Sequence, residues 1–198
     1  MTKFAESETR LNLMKAFAGE SQASNRYTFF SKKARDEGYK QIEAIFLETA
    51  ENEREHASVF YKHLVKNLGA DEAVVTEFTA DYPVALSEKT ETNLLSAAGG
   101  EQEEYEVLYP SFGKKAEEEG FKDIAQSFYQ IAKVEKEHMD RYNALAKNIH
   151  EGKVFKKDKP VLWKCRNCGY IVEAVSAPAK CPACQHPQSY FEIAAKNW

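Results

Sequence analysis

Glu53 and His56 are spaced as Glu-x-x-His, and Glu135 and His138 repeat that spacing. On a helix, positions i and i+3 share a face, so each pair aims a carboxylate and an imidazole at one point. Glu20 and Glu101 lie upstream, each directly after a glycine. One Glu from each of two helices, plus Glu-x-x-His from two others, is an arrangement that holds two metal ions between carboxylates. Either Glu-x-x-His alone would equally suit a solvated, Glu-rich helix face. Glu104 adds an acid three residues after Glu101, whereas the comparable place in the first helix is Ala23, so an asymmetric site is expected. Glu51, Glu55, Glu103 and Glu106 are expected to face solvent. Tyr27 and Tyr109 follow Glu20 and Glu101 by about two turns; each can hydrogen-bond a ligand carboxylate or simply fill the core.

The second constellation is Cys165-x-x-Cys168 and Cys181-x-x-Cys184. Two such knuckles supply four thiolates in a tetrahedron that suits zinc or iron, and the spacing does not choose between them. All four cysteines fall in one short stretch, which reads as a local metal site in a reducing cytoplasm rather than a disulfide scaffold. Gly169 permits the tight turn that points backbone N–H groups at sulfur. Trp163, Tyr170, Tyr190 and Phe191 are expected to shield the centre. His63, His150 and His186 have no ligand-spaced partner and read as surface residues.

These residues need long helices to position them. Four helical segments are expected, at about 7–37, 39–68, 87–119 and 121–151, with Gly38, Gly69, Gly120 and Gly152 closing them and Ser87 as an N-cap. In the first, Leu11, Met14, Phe17, Ala18 and Ser21 form the expected apolar face. Residues 70–86 form a long crossover, so the fold class is an all-α four-helix bundle followed by a small β-rich metal domain. The expected domains are 1–151, a linker at 152–160 that is charged and ends at Pro160, and 161–198.

Lys32–His56 repeats as Lys114–His138 at an offset of 82, with 12 identities in 25 positions. Glu20 lies 12 residues before Lys32, but Glu101 lies 13 before Lys114. One extra residue turns a helix face by about 100°. A π-bulge between Glu101 and Lys114, near Pro110, would absorb it.

The charges, 27 Lys and Arg against 31 Asp and Glu, give a net −4 and no footprint for nucleic acid or an anionic membrane. No uncharged run reaches the length of a membrane span. The first ten residues carry charges of both signs and no apolar core, unlike a secretory signal. Three function classes stay open at this level: a redox enzyme, an iron-storage bundle, and a structural bundle with a zinc ribbon that binds nucleic acid or protein.

Along nearly its whole length the sequence resembles the rubrerythrin family. The carboxylate–histidine bundle resembles that family's ferritin-like di-iron domain. Cys-Arg-Asn-Cys-Gly-Tyr, Cys-Pro-Ala-Cys and His-Pro-Gln-Ser-Tyr-Phe resemble its rubredoxin-like domain. The resemblance implies two irons in the carboxylate–histidine site and one iron at the four cysteines, where zinc can substitute. It implies a non-haem peroxidase that reduces hydrogen peroxide to water in oxidative-stress defence. Electrons would come from NAD(P)H through a flavoprotein reductase or a free rubredoxin. Glu53 and Glu135 match bridging carboxylates, and Glu20, Glu101 and His138 match terminal ligands. Glu104 and His56 match a pair that exchanges on one iron with redox state. His138 lies roughly 18 Å from the end of its helix. A head-to-tail homodimer would bring one chain's thiolate centre near its partner's carboxylate site, and the resemblance points the same way.

Overall fold

The structure is a computed structural model that describes residues 3–69 and 73–197. Residues 70–72 of the expected crossover lie outside the described residues. Helix α1 spans Glu8–Asp36 and α2 spans Lys40–Leu68. After the crossover come α3 (Thr90–Glu103), a π-helical turn (Glu104–Leu108) and α4 (Tyr109–Glu119). These three form one continuous rod. Helix α5 spans Lys122–His150. The rod pairs with α5 as α1 pairs with α2, and the two hairpins close a four-helix bundle. Among the described residues, no helix is long and apolar enough to cross a membrane.

The helix ends follow from local chemistry. Ser7 caps α1 by accepting the Arg10 N–H at 3.1 Å. Glu119, at the end of α4, also accepts the N–H groups of Glu8 and Thr9 at 3.0 and 2.9 Å. The repeat reproduces this device: Glu37, at the end of α1, accepts the Thr90 N–H at the start of α3. Each hairpin thus caps the first helix of the other. This displaces Ser87 from its expected role. Ser87 lies in a turn instead, exchanging hydrogen bonds of 2.8 and 2.9 Å with the side chain of Asn93.

Two hydrophobic clusters fill the bundle, related by the repeat. One holds Tyr27, Phe30, Phe46, Leu94 and Tyr142; the other holds Leu13, Phe60, Tyr109 and Phe128. Glu20, Glu53, Glu101 and Glu135 lie between them, each at most 1% exposed. That belt explains one correction. The buried face of α1 is Asn12, Leu13, Ala16, Gly19, Glu20, Ala23 and Tyr27, whereas Leu11, Met14, Phe17, Ala18 and Ser21 are only half-buried. The inward stripe carries polar side chains, so hydrophobicity alone selects a neighbouring face.

The C-terminal unit is a three-stranded antiparallel sheet, β1 (Lys156–Cys165), β2 (Ile171–Ser176) and β3 (Phe191–Ile193), with β1 in the centre. Strand β1 begins inside the segment expected to be linker. Pro160 sits where the β1–β2 register shifts between Lys156 and Val161, a break that spares the ladder a missing donor. Trp163 and Phe191 are buried in its core with Cys165 and Cys181. The unit rests on the α1–α2 turn: Tyr39 stacks on Phe155 at 6.2 Å, and the Lys40 ammonium lies 5.6 Å from the Tyr190 ring centre.

Replacing Glu119 or Glu37 by Ala removes a helix cap and is expected to cost about 1 kcal/mol each. The two costs should add in urea unfolding of the double variant, because the caps sit on different helices. A change under about 0.3 kcal/mol for both would refute the reciprocal capping.

Candidate metal centres

Four helices aim their acids at one buried point. His56 Nδ1 lies 2.9 Å from Glu53 Oε2, 3.0 Å from Glu135 Oε1 and 3.9 Å from Glu20 Oε1. His138 Nδ1 mirrors it, 2.9 Å from Glu135 Oε2, 3.2 Å from Glu53 Oε1 and 3.9 Å from Glu101 Oε2. Glu53 and Glu135 are therefore shared by two ligand sets. One is Glu20, Glu53, His56 and Glu135; the other is Glu53, Glu101, Glu135 and His138, with the ligand atoms of each set within 4.8 Å of one another.

The donors are left open inward. Glu20 Oε2, Glu53 Oε1, Glu101 Oε2, both Glu135 oxygens and His138 Nδ1 are buried without a hydrogen-bond partner among the described residues. Buried carboxylate oxygens are costly unless something positive satisfies them. Hard oxygen donors with one imidazole on each side suit iron, and the shared carboxylates suit two ions side by side.

The two tyrosines cross over. Tyr27, on α1, donates to Glu101 Oε1 at 2.5 Å, and Tyr109, at the start of α4, donates to Glu20 Oε1. Each hairpin's tyrosine fixes the other hairpin's carboxylate, leaving the second oxygen free to face the centre. The π-turn makes this possible. Tyr27 follows Glu20 by seven residues and Tyr109 follows Glu101 by eight. The Tyr109 N–H bonds back five residues to Glu104, so the wider turn absorbs the extra residue. The bulge thus falls inside the window that the broken repeat defines.

Glu104 starts the π-turn and lies beside the cluster rather than in either ligand set. Ala23, its counterpart, is buried, so the asymmetry expected from sequence is present. Glu51, Glu55, Glu103 and Glu106 are exposed. His63 pairs with Ser127 at 2.9 Å and His150 with Glu91 at 3.1 Å, away from both centres. Sequence reasoning missed Arg26, a buried cation on α1 close to Glu104.

In the C-terminal unit the four thiols converge. Cys165 Sγ lies 3.7 Å from Cys184 Sγ, and Cys168 Sγ lies 3.7 Å from Cys181 Sγ. A tetrahedron with metal–sulfur bonds of about 2.3 Å has edges of about 3.8 Å, so the spacing fits one ion of iron or zinc. The knuckles are alike: the Gly169 N–H donates to the Cys165 carbonyl and the Gln185 N–H to that of Cys181. Gly169 and Gln185 both have positive φ, 81° and 64°. The second turn is invisible to a search for glycine. The His186 N–H beside Cys184 lowers its thiol to about 6, which favours the thiolate.

Charge coupling gives the metal-free protein a pH signature. Burial pushes the His56 and His138 imidazoles down, but the Glu135 and Glu53 carboxylates beside them outweigh it and raise them to about 10 and about 9. Burial and neighbouring carboxylates raise Glu20, Glu101 and Glu104 well above the usual range. Burial also pushes Glu53 up, yet its bonds from His138 and His56 leave it lowered overall. A group raised by folding stabilises fully below its unfolded value and loses that stability as pH rises through its folded value. The histidine contribution is therefore complete below 6.5 and lost through about 9 to 10. The raised carboxyls act in the same direction, and within this cluster Glu53 opposes them by losing stability on acidification. Metal-free protein should melt at falling temperature from about pH 6.5 to 10, and a divalent metal, which displaces these protons, should raise Tm most at the alkaline end. A flat or rising Tm in the metal-free protein would contradict this charge arrangement.

Comparison with known proteins agrees with these two centres. Residues 12–146 match the rubrerythrin family model, and residues 163–192 match the model for the rubredoxin-like domain of rubrerythrin. The chain is 58% identical to rubrerythrin-1 of Clostridium acetobutylicum over 198 residues, covering 100% of both chains. It is 58% identical over 193 residues to rubrerythrin of Clostridium perfringens, covering 98% of this chain and 97% of that one. A solved structure of nigerythrin in a mixed-valence state superposes with a TM-score of 0.63 at 33% identity, covering 98% of this chain and 94% of that one. A bundle with paired carboxylate–histidine sets, followed by a four-thiolate unit, accounts for both matches, and the chain belongs to the rubrerythrin family, whose members are di-iron oxidoreductases.

Proposed function

We propose that this protein is a peroxidase that reduces hydrogen peroxide to water, drawing electrons through its four-cysteine centre. The observation that carries this reading is the pair of mirrored ligand sets sharing Glu53 and Glu135. When bound, a pair of irons supplies the two electrons that, with two protons, convert one peroxide to two waters, and an iron at Cys165, Cys168, Cys181 and Cys184 relays them. Glu53 and Glu135, common to both sets, would be shared between the two ions, and Glu20, Glu101 and His138 would each hold one of them. On one side of the site His56 and Glu104 would be alternative ligands to the same ion. Carboxylate favours ferric iron and imidazole accepts ferrous iron, which suits such an exchange. Tyr27 and Tyr109 hold the Glu101 and Glu20 carboxylates in place.

The functional domains on this reading are the bundle, residues 1–151, and the four-cysteine unit, which the expected boundary at 161 cuts short because its first strand starts at Lys156. The electrons come from NAD(P)H through a flavoprotein reductase or a free rubredoxin. Four unbridged thiols support a reducing compartment, the cytoplasm. A head-to-tail homodimer is supported by distance. The four-thiolate unit rests at Lys40, and Glu53 lies thirteen residues further along α2, roughly 20 Å away. Exposed apolar side chains on the crossover, Val75, Val84 and Leu86, offer surface to a second copy.

The iron-loaded protein with an NAD(P)H-dependent reductase is expected to consume peroxide. Mixed dimers pairing Cys165→Ser/Cys168→Ser with Glu53→Ala/Glu135→Ala chains should retain turnover through one working electron route. No peroxide consumption by the fully loaded wild type would refute the peroxidase. Activity in the wild type with dead mixed dimers would place electron transfer within the chain.

A further inference from the structure

A cavity of about 320 Å³ lies beside the carboxylate site, between α1, the π-turn and the crossover. Tyr82 roofs it. Its hydroxyl donates to the Lys15 carbonyl at 2.9 Å, and its ring lies 3.6 Å from where a Cβ on Gly19 would stand. Glu104 and Tyr109 line the inner side. Tyr109 also holds Glu20, so the cavity ends against the carboxylate site.

Arg26 lines the same cavity and is 7% exposed. Its Nε and Nη1 are sealed in the protein without a hydrogen-bond partner among the described residues, which leaves Nη2 as the nitrogen open to the cavity. Nη2 packs beside Gly100, 3.5 Å from where a Cβ there would stand. A buried guanidinium with bare N–H groups is costly, and an acceptor in the cavity at Nη2 offsets part of that cost. The other charged groups of the lining are Lys15, Asp81, Glu103 and Glu104, so the charges nearly cancel. That balance suits a small neutral molecule that both donates and accepts.

We propose that this cavity is a binding subsite for hydrogen peroxide, in which Arg26 donates from an Nη2–H to a peroxide oxygen and the Glu104 carboxylate accepts a peroxide O–H. Peroxide is uncharged and carries two O–H donors and two acceptor oxygens, which matches this pairing. The proposal rests on the peroxidase reading and adds Arg26 as a substrate-binding residue on the approach to the ligands.

Kinetics of the iron-loaded full chain and a redox-inert form test it together. Arg26→Gln should raise KM for hydrogen peroxide about tenfold or more, with kcat and metal content nearly unchanged, because a charged hydrogen bond to bound substrate is lost. Arg26→Lys should recover part of the loss. Ala80→Trp, which fills the cavity from the crossover side, should also raise KM. In crystals of zinc-loaded protein soaked with hydrogen peroxide, two-atom density should stand between Arg26 and Glu104. It should disappear in Arg26→Gln. Unchanged KM in Arg26→Gln at full metal content would overturn the subsite, as would a soaked wild-type cavity that holds only water. Should Arg26→Gln fail to fold, Ala80→Trp and the wild-type soak decide. A loaded wild type that reduces no peroxide refutes the peroxidase, and the soak then judges the subsite separately.

Discussion

Four carboxylates buried at the centre of a helical bundle cannot be left to repel one another. Glu20, Glu53, Glu101 and Glu135 are almost fully shielded from water, and several of their oxygens meet no donor. Each such group opposes folding by several kcal/mol unless paired. His56 and His138 offset part of that cost as imidazolium in the metal-free protein. Two divalent ions would offset far more, and every other feature of the bundle serves that placement. The hydrophobic clusters on either side supply the folding energy that the belt consumes. Tyr27 and Tyr109 fix the outer oxygens so that the inner ones converge.

A duplicated hairpin explains why the site is nearly symmetric, and one extra residue explains why it is not. The repeat pairs Glu53 with Glu135, His56 with His138, and the cap at Glu37 with the cap at Glu119. Between Glu101 and Tyr109 the second copy is one residue longer, and the π-turn takes up the difference. The widened backbone carries Glu104 at a place where the first copy has Ala23. The spare carboxylate, the neighbouring cavity and Arg26 all lie on that one side. That asymmetry gives one metal position a spare carboxylate that the other lacks.

Much of this was readable from the chain because metal ligands must obey helical spacing. Glu-x-x-His at matched places in a repeat, Cys-x-x-Cys twice, and a slip of one residue each predict a geometric feature that the structure contains. Other features depend on long-range contacts that spacing does not encode. Ser87 looks like an N-cap, but Glu37 arrives from another hairpin to bind Thr90. The apolar face of α1 is displaced because its inward positions hold Asn12 and Glu20. Residues 156–160 look like linker because they are charged, yet they form the mostly exposed start of the central strand β1. Gln185 adopts a positive φ without glycine because the knuckle around Cys184 demands the turn. The exchange of tyrosines between hairpins is likewise a tertiary fact, and Arg26 carries no motif at all.

The central claim is that the carboxylate belt is a two-metal site on which the bundle depends. The direct test is an anaerobic titration of metal-free protein with ferrous iron, following bound iron and Tm together. The account predicts saturation near three ions per chain, one at the four thiolates and two in the bundle. Tm should rise steeply over the two bundle equivalents. Glu53→Ala should remove both bundle equivalents, because Glu53 is shared between them. Saturation at a single ion held by the cysteines, with no gain in Tm beyond it, would contradict the account.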